Sequence, residues 1–205
     1  MSRLLVGIAG GSGSGKSTLA MALYRKYPNK ITLVYLDDYY KKPEDAPRYE
    51  GGVDWDHPDA LRFDDLLRDI GDLLKGKLVT VHTKSELYNP AYRPELRNKI
   101  EQVLEPKPIV LLEGHLALYD PRICKLMSLS IFLDAPIEES VRRRTINKIA
   151  QPQSYFEKVL FPAHKSTVEP AKDYADIVVD VSTHSLEEVF QVVDSALKMR
   201  RIISD

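Results

Sequence analysis

Short apolar runs alternate with stretches of helical periodicity along the whole of this chain. Residues 4–9 form a first apolar run, of the length that suits a buried strand. Leu19, Ala20, Leu23 and Tyr27 then recur at helical spacing, and Pro28-Asn29 closes that helix. Residues 31–36 predict a second strand. A polar loop bearing Pro and Gly follows over 41–57, and His57-Pro58 opens a helix whose apolar face is Phe63, Leu66, Leu67, Ile70, Leu73 and Leu74. Over 76–108 the alternation of Val79 and Val81 suits an exposed strand, but Pro90, Pro94, Pro106 and Pro108 interrupt the rest. That segment predicts a hairpin or irregular insertion. Residues 109–112 and 129–133 predict two more buried strands, followed by helices over about 136–149 and 154–165. A last strand over 177–181 precedes a helix marked by Leu186, Val189, Phe190, Val193 and Leu197. Strands alternating with helices imply a mostly parallel five-stranded sheet covered on both faces, a three-layer α/β/α domain.

The length of 205 residues fits a single domain over 1–205, with the insertion at about 76–108 and a short lid at about 142–155. Lys and Arg number 29 and Asp and Glu 30, so the net charge is −1. That balance argues against a dedicated nucleic-acid binder. One cysteine, Cys124, rules out an intrachain disulfide framework and suits a reducing compartment. The apolar runs fall short of the roughly 18 residues of a membrane span, and the run at 4–9 is too short for a signal-peptide core. The expectation is a cytoplasmic protein without membrane or nucleic-acid partners, with a small molecule as its partner and room for homo-oligomerisation.

The most specific pattern is Gly10-Gly11-Ser12-Gly13-Ser14-Gly15-Lys16-Ser17, which fits G-x-x-x-x-G-K-[ST] in full and is followed by Thr18. It lies between a predicted strand and a predicted helix. Glycines there let the backbone curl until successive N–H groups face phosphate oxygens, and the helix N-terminus adds its dipole. Lys16 can reach the β- and γ-phosphates and Ser17 can ligate Mg²⁺, which makes Mg²⁺–ATP the expected nucleotide. A bland Gly/Ser turn would need the Lys-Ser ending and the strand–helix context to coincide by chance. The run lacks the glycine spacing of a dinucleotide loop.

Phosphate cradles serve kinases, switches and motors alike. Asn147-Lys148 is not followed by the aspartate of a guanine-reading N-K-x-D, and no D-x-x-G occurs. A kinase needs a carboxylate near the γ-phosphate to orient or deprotonate an acceptor hydroxyl. Asp37 ends the second apolar run and is delivered to the carboxyl edge of the sheet, where doubly wound folds bind ligands; a turn cap is the alternative for it and for Asp38. Glu113 ends the run at 109–112 in the same way and would face Mg²⁺ or the acceptor. Ser17, Asp37 and Glu113 are thus the candidate oxygens around a metal, and Asp37 and Glu113 the candidates around an acceptor. His115 and His164 lack partners at metal spacing, which argues against zinc.

The blocks Asp37-Asp38-Tyr39-Tyr40-Lys41, Asp56-His57-Pro58-Asp59-Ala60, Leu112-Glu113-Gly114-His115-Leu116 and Val168-Glu169-Pro170-Ala171-Lys172, leading into Tyr174-Ala175-Asp176, keep a familiar order and spacing. With the opening from Gly7 to Ser12, they make the sequence resemble the uridine kinase family of P-loop kinases and its nicotinamide riboside kinase relatives over most of its length. The resemblance implies a transfer from ATP to the 5′-hydroxyl of a ribonucleoside, with Asp37 as base, Asp56 on the ribose hydroxyls and Glu113 near the metal. A helix cap before Pro58 is the alternative for Asp56, and the two roles are compatible. Arg142, Arg143 and Arg144 lie on the helix that in the family leads into a lid over ATP. Arg143 and Arg144 are the candidates to neutralise charge on the transferring phosphoryl group, although adjacent helical positions diverge by about 100°.

Two segments depart from the uridine kinase pattern. The lid looks shortened to 150–154 and is closer to that of the nicotinamide riboside kinases. His82, Tyr88 and Tyr92 do not match the register of the tyrosine and histidine that those enzymes place against uracil, and packing roles suit them better. Trp55 suits either stacking on a base or packing on its own domain. The alternatives left open are a kinase of the same fold acting on nicotinamide riboside, a sugar phosphate or pantothenate, and a non-catalytic nucleotide-binding regulator.

Overall fold

The computed structural model describes residues 2–50, 52–93, 98–138, 141–142 and 153–203. Its centre is a parallel sheet of five strands, β1 (Leu4–Gly10), β2 (Ile31–Tyr35), β7 (Ile109–Glu113), β8 (Met127–Asp134) and β9 (Ile177–Asp180), in the spatial order β2-β7-β1-β8-β9. Burial on both faces is what makes these strands read as continuous apolar runs. All five residues of β2 and all five of β7 are buried.

Successive side chains divide between two cores. Leu5, Ala9, Val34, Leu112 and Phe132 face one side, where Leu66, Ile70 and Leu73 of helix α2 (Phe63–Leu74) pack. Val6, Ile8, Leu33, Leu111 and Ile131 face the other, against Leu19 and Leu23 of helix α1 (Lys16–Lys26) and Val189, Val193 and Leu197 of the C-terminal helix (Leu186–Met199). Ser185 opens that last helix with a capping box, its side chain and that of Glu188 each accepting from the other's backbone N–H. The three-layer arrangement read from the sequence is the one observed.

Among the described residues, four smaller strands lie outside the sheet. β3 (Arg48–Tyr49) and β4 (Gly52–Val53) pair antiparallel within the segment 41–57, which its polar sequence marks only as a loop. β5 (Val79–Thr83) pairs antiparallel with β6 (Ile100–Leu104), Val79 opposite Leu104 and Thr83 opposite Ile100.

Three elements differ from the sequence reading. His57-Pro58 opens one 3₁₀ turn, Pro58–Ala60, and α2 begins separately at Phe63. The cap of that turn is His57, whose Nδ1 accepts from the Asp59 N–H at 3.1 Å, while Asp54 accepts from the N–H groups of Asp56 and His57. Asp56 is therefore not the cap. The helix expected over 154–165 is part of a longer helical run over 153–174 that changes pitch repeatedly. Its hydrogen bonds widen to i→i+5 at Phe161 and Glu169, beside Pro162 and Pro170. Proline has no N–H to give, and its ring crowds the carbonyl four residues back. Of the helix expected over 136–149, residues 137, 138, 141 and 142 are helical. Arg143 and Arg144, with most of the expected lid, lie outside the described residues. No helix among the described residues is long and apolar enough to cross a membrane.

Candidate active site

The carboxyl ends of β1, β7 and β2 lie side by side, and each delivers a different group. β1 runs into the glycine loop. Gly10 has φ 145°, and a Cβ built there would stand 2.3 Å from the Leu133 carbonyl oxygen, so the loop leaves β1 against the end of β8 only if residue 10 has no side chain. Gly15 caps α1 with φ 93° in open space; backbone conformation rather than room requires glycine there. A turn between them is closed by the Ser14 N–H on the Gly11 carbonyl at 3.2 Å. The first turn of a helix leaves N–H groups without intrahelical acceptors, here including those of Ser17 and Thr18, both exposed.

Lys16 is buried and donates from Nζ to the Gly11 carbonyl at 2.8 Å, which places its ammonium over the concave side of the loop. Ser14 is buried as well, and its Oγ has no hydrogen-bond partner among the described residues. A buried hydroxyl without a partner is costly, and an oxygen-rich anion in the loop would satisfy it. Curled backbone, helix terminus, ammonium and orphaned hydroxyl are together the chemistry that fits a polyphosphate.

β7 contributes Glu113. It is buried, and Ser17 Oγ donates to it at 3.1 Å to Oε1 and 3.3 Å to Oε2. A serine hydroxyl next to a buried carboxylate is a hard-oxygen pair of the kind Mg²⁺ prefers.

β2 ends at Tyr35, opposite Glu113 in register, and a 3₁₀ turn (Leu36–Tyr39) carries Asp37 and Asp38 beyond the sheet edge. Gly114 makes this approach close. A Cβ at Gly114 would lie 2.3 Å from the Leu36 Cβ. Asp37 forms an ion pair with Lys84, Oδ2 to Nζ 3.0 Å, and about two-fifths of its side chain is exposed. Asp38 is buried. Desolvation pushes its carboxyl up to about 6, against hydrogen bonds from the Thr83 side chain and the Lys84 backbone. Burial would lower the Lys84 ammonium, but the charge of and hydrogen bond to Asp37 outweigh it and raise it. Lys99 nearby is lowered, mainly by desolvation.

Asp56 is buried and accepts from the Tyr155 hydroxyl at 2.5 Å. Tyr155 is itself buried, edge-on to Tyr49 at 5.4 Å and packed with Val159 and Leu160. Tyr155 of the helical run 153–174 thus contacts both Asp56 and Tyr49 of the β3–β4 hairpin. Trp55 packs edge-on against Tyr40 at 5.4 Å. Tyr88 packs edge-on against Tyr35 and donates to the Leu33 carbonyl, a packing role.

On the other side of the glycine loop, Asp134 ends β8 and pairs with Lys172 at 2.6 Å. With His164, Glu169, Asp180 and Ser182 they line a cavity of about 280 Å³. Burial lowers the His164 imidazole.

Of the sequence candidates, the structure gathers Gly10 to Thr18, Glu113 and Asp37 at the ends of three adjacent strands. Asp56 is held in a separate buried contact. Sequence reasoning missed Lys84 and Tyr155, the partners of Asp37 and Asp56. Lys84 is a lone lysine in a polar segment, and Tyr155 stands 99 residues from its partner, so no spacing rule marks either.

The family model described as Phosphoribulokinase / Uridine kinase family matches residues 5–187. A uridine kinase from Brevibacillus brevis is 34% identical over 187 residues, covering 86% of this chain and 84% of that protein. One from Clostridium botulinum strain Langeland is 32% identical over 201 residues, covering 93% and 94%. Among solved structures, a possible uridine kinase from Bacillus stearothermophilus superposes with a TM-score of 0.60 at 20% identity, covering 88% of this chain and 90% of that one. Phosphoribulokinase from Rhodobacter spheroides superposes with 0.62 at 13%, covering 89% and 73%. These two share the fold. By the extent of the family match and of the curated relatives, this chain belongs to the phosphoribulokinase/uridine kinase family.

Proposed function

We propose that this chain is an ATP-dependent kinase that phosphorylates the 5′-hydroxyl of a ribonucleoside. The observation that carries the reading is the convergence at one sheet edge of a phosphate-shaped loop, a Ser17–Glu113 pair and the projecting carboxylate of Asp37. The curated relatives named uridine kinase support the acceptor class.

The glycine loop and the first turn of α1 hold the phosphates, and Lys16 exchanges its bond to Gly11 for the β- and γ-phosphate oxygens. Ser17, Glu113 and Asp37 supply the hard oxygens of a Mg²⁺ site; the ion, when bound, neutralises phosphate charge. Asp37, the carboxylate assigned to the acceptor hydroxyl, stands on the β2 side of the loop. The nucleoside half of ATP therefore takes the opposite side, by the cavity at the ends of β8 and β9. Asp56, kept in place by Tyr155, accepts hydrogen bonds from the ribose hydroxyls. Asp37 orients the 5′-hydroxyl and takes its proton as the new O–P bond forms and the bond to the β-phosphate oxygen breaks. Arg143 and Arg144 are assigned to charge neutralisation from the lid.

The test is a panel of acceptors (uridine, cytidine, nicotinamide riboside, ribulose 5-phosphate, pantothenate and 2′-deoxyuridine) with ADP formation as the readout. A ribonucleoside should give the highest kcat/KM, and Asp37→Asn should lower kcat by about 10²–10⁴. ADP formation independent of every acceptor, or an Asp37→Asn enzyme at the parental rate, would refute the assignment.

A further inference from the structure

Lys84 belongs to none of the motifs that define the nucleotide cradle or the acceptor carboxylates, yet it touches both aspartates at the end of β2. Its Nζ stands 3.0 Å from Asp37 Oδ2, and its backbone N–H donates to Asp38 Oδ1 at 3.4 Å. One residue of the β5–β6 hairpin thus grips the two members of the Asp37–Asp38 pair, one by side chain and one by main chain.

The segment that carries Lys84 is built to stay where it is. Thr83, the last residue of β5, is fully buried, and its Oγ1 accepts from the Ser85 N–H at 3.0 Å. The buried Asn89 side chain donates to the carbonyls of Thr83 and Asn98, tying the two sides of the hairpin together beyond its strands. Tyr88 donates from its hydroxyl to the Leu33 carbonyl and packs edge-on against Tyr35, fastening the segment to β2 itself. The ammonium also lies 5.8 Å from the centre of the Tyr40 ring, which fixes its approach from a second direction.

We propose that Lys84 is a positioning residue for the phosphoryl-transfer step, holding the Asp37 carboxylate in the orientation that meets the acceptor hydroxyl. This rests on the assignment of Asp37 made above. A partly exposed aspartate on a 3₁₀ turn has more than one rotamer within reach, and a base must stand within hydrogen-bond distance of the proton it takes. An ammonium on Oδ2 selects one of those rotamers. A carboxylate has about four acceptor sites over its two oxygens, so that contact is compatible with a hydroxyl on Oδ1. The ion pair is partly exposed, between a third and two-fifths of each side chain, and is worth little to stability; its value lies in geometry, where a displacement of about 1 Å can cost as much as 10²-fold in rate.

The experiment is a double-mutant cycle on the full chain, with kcat and both KM values measured for the best acceptor and ATP. Lys84→Met, which keeps the length and removes the charge, should lower kcat about 10- to 100-fold while both KM values stay within about 3-fold. Lys84→Arg should recover part of the loss. In an Asp37→Asn background Lys84→Met should add less than about 3-fold, because a residue that works through Asp37 has nothing left to position. Lys84→Met at the parental kcat, or a loss that multiplies in full with that of Asp37→Asn, overturns the proposal. So does a loss that tracks a fall in Tm and is shared by Lys84→Gln. If Lys84→Met does not fold, Lys84→Gln takes its place in the cycle. The two readings separate cleanly: Asp37→Asn at the parental rate sinks the base and this inference with it, whereas a slow Asp37→Asn beside a fully active Lys84→Met sinks this inference alone.

Discussion

Placing a methyl group on Gly114 tests how Asp37 reaches the sheet edge. In Gly114→Ala the new Cβ would lie 2.3 Å from the Leu36 Cβ, 2.6 Å from its Cδ2 and 3.0 Å from its Cγ. Carbon atoms pack at about 3.5–4.0 Å, so the ends of β2 and β7 must separate by roughly 1.2 Å or more. Leu36 cannot rotate out of the way, because its Cβ is fixed to the backbone and the residue is fully buried. Overpacking of this kind costs about 1–3 kcal/mol, which for a chain of this size lowers Tm by about 2–12 °C. Asp37 follows Leu36 directly and moves with it. A shift of about 1 Å in a catalytic group costs up to about 10²-fold, so kcat should fall well beyond what the lost stability explains. The assay is ADP formation at saturating ATP and acceptor, at a temperature where the variant is fully folded by circular dichroism. Gly71→Ala is the control: that glycine lies within α2 with no atom of the described residues within 4 Å of a Cβ, and the change should stabilise by about 0.5–1 kcal/mol with kcat unchanged. A Gly114→Ala enzyme with the parental Tm and kcat would refute the claim that contact between these strand ends places the carboxylate.

Other outcomes follow from single contacts. Tyr155→Phe removes the hydroxyl that Asp56 accepts from and should raise the acceptor KM by roughly 3- to 10-fold, the cost of about 1 kcal/mol for one hydrogen bond, with kcat nearly kept; equal KM values would separate Asp56 from the ribose. Glu113→Gln removes the carboxylate charge beside the Ser17 hydroxyl and should raise the Mg²⁺ concentration needed for half-maximal activity, read from a metal titration at fixed ATP; an unchanged titration would take Glu113 out of the metal site. Asp194, on the C-terminal helix, is buried between Tyr27, Lys26 and Lys198. Burial opposes its charge, but the hydrogen bonds from Tyr27 and Lys26 and the charge of Lys26 hold its carboxyl below the usual range. A carboxyl lowered in the folded state stabilises above its unfolded pKa of about 3.9 and loses that contribution as pH falls through the folded value. Asp194→Ala should therefore cost about 1–3 kcal/mol at pH 7 and progressively less below pH ~3.9, measured by urea unfolding; a cost independent of pH would contradict the ionic reading.

The parts of this site that are local in sequence are legible there. The cradle is eight consecutive residues between a strand and a helix, and its demands on φ fall on glycines the pattern itself names. Asp37 and Glu113 announce themselves because an apolar run that ends in an acid places that acid at a sheet edge, whatever the rest of the chain does. The central strands are equally plain, since burial on both faces leaves no polar alternation to confuse with a helix. What the sequence hides is set by tertiary contact. Lys84 and Tyr155 earn their places from partners far along the chain, and nothing near them in sequence differs from an ordinary surface lysine or core tyrosine. The strands β3 and β4 have two residues each, too few for any period to register. The helical run 153–174 misleads for a local reason: Pro162 and Pro170 argue for breaks, yet the chain keeps turning by widening its hydrogen bonds beside them.

The order of the central strands also governs how the chain can be made. β7 lies between β1 and β2, and β1 is flanked on its other side by β8. A ribosome that has delivered the first hundred residues has therefore delivered two sticky strands that have no neighbour to zip onto. No ladder of the main sheet can form before residues 109–113 are made, so the nucleotide loop takes shape late although it is encoded first. Premature termination anywhere before that point should yield not a smaller working unit but a fragment prone to clump, and the demand for chaperone protection should be greatest while the middle of the message is being read.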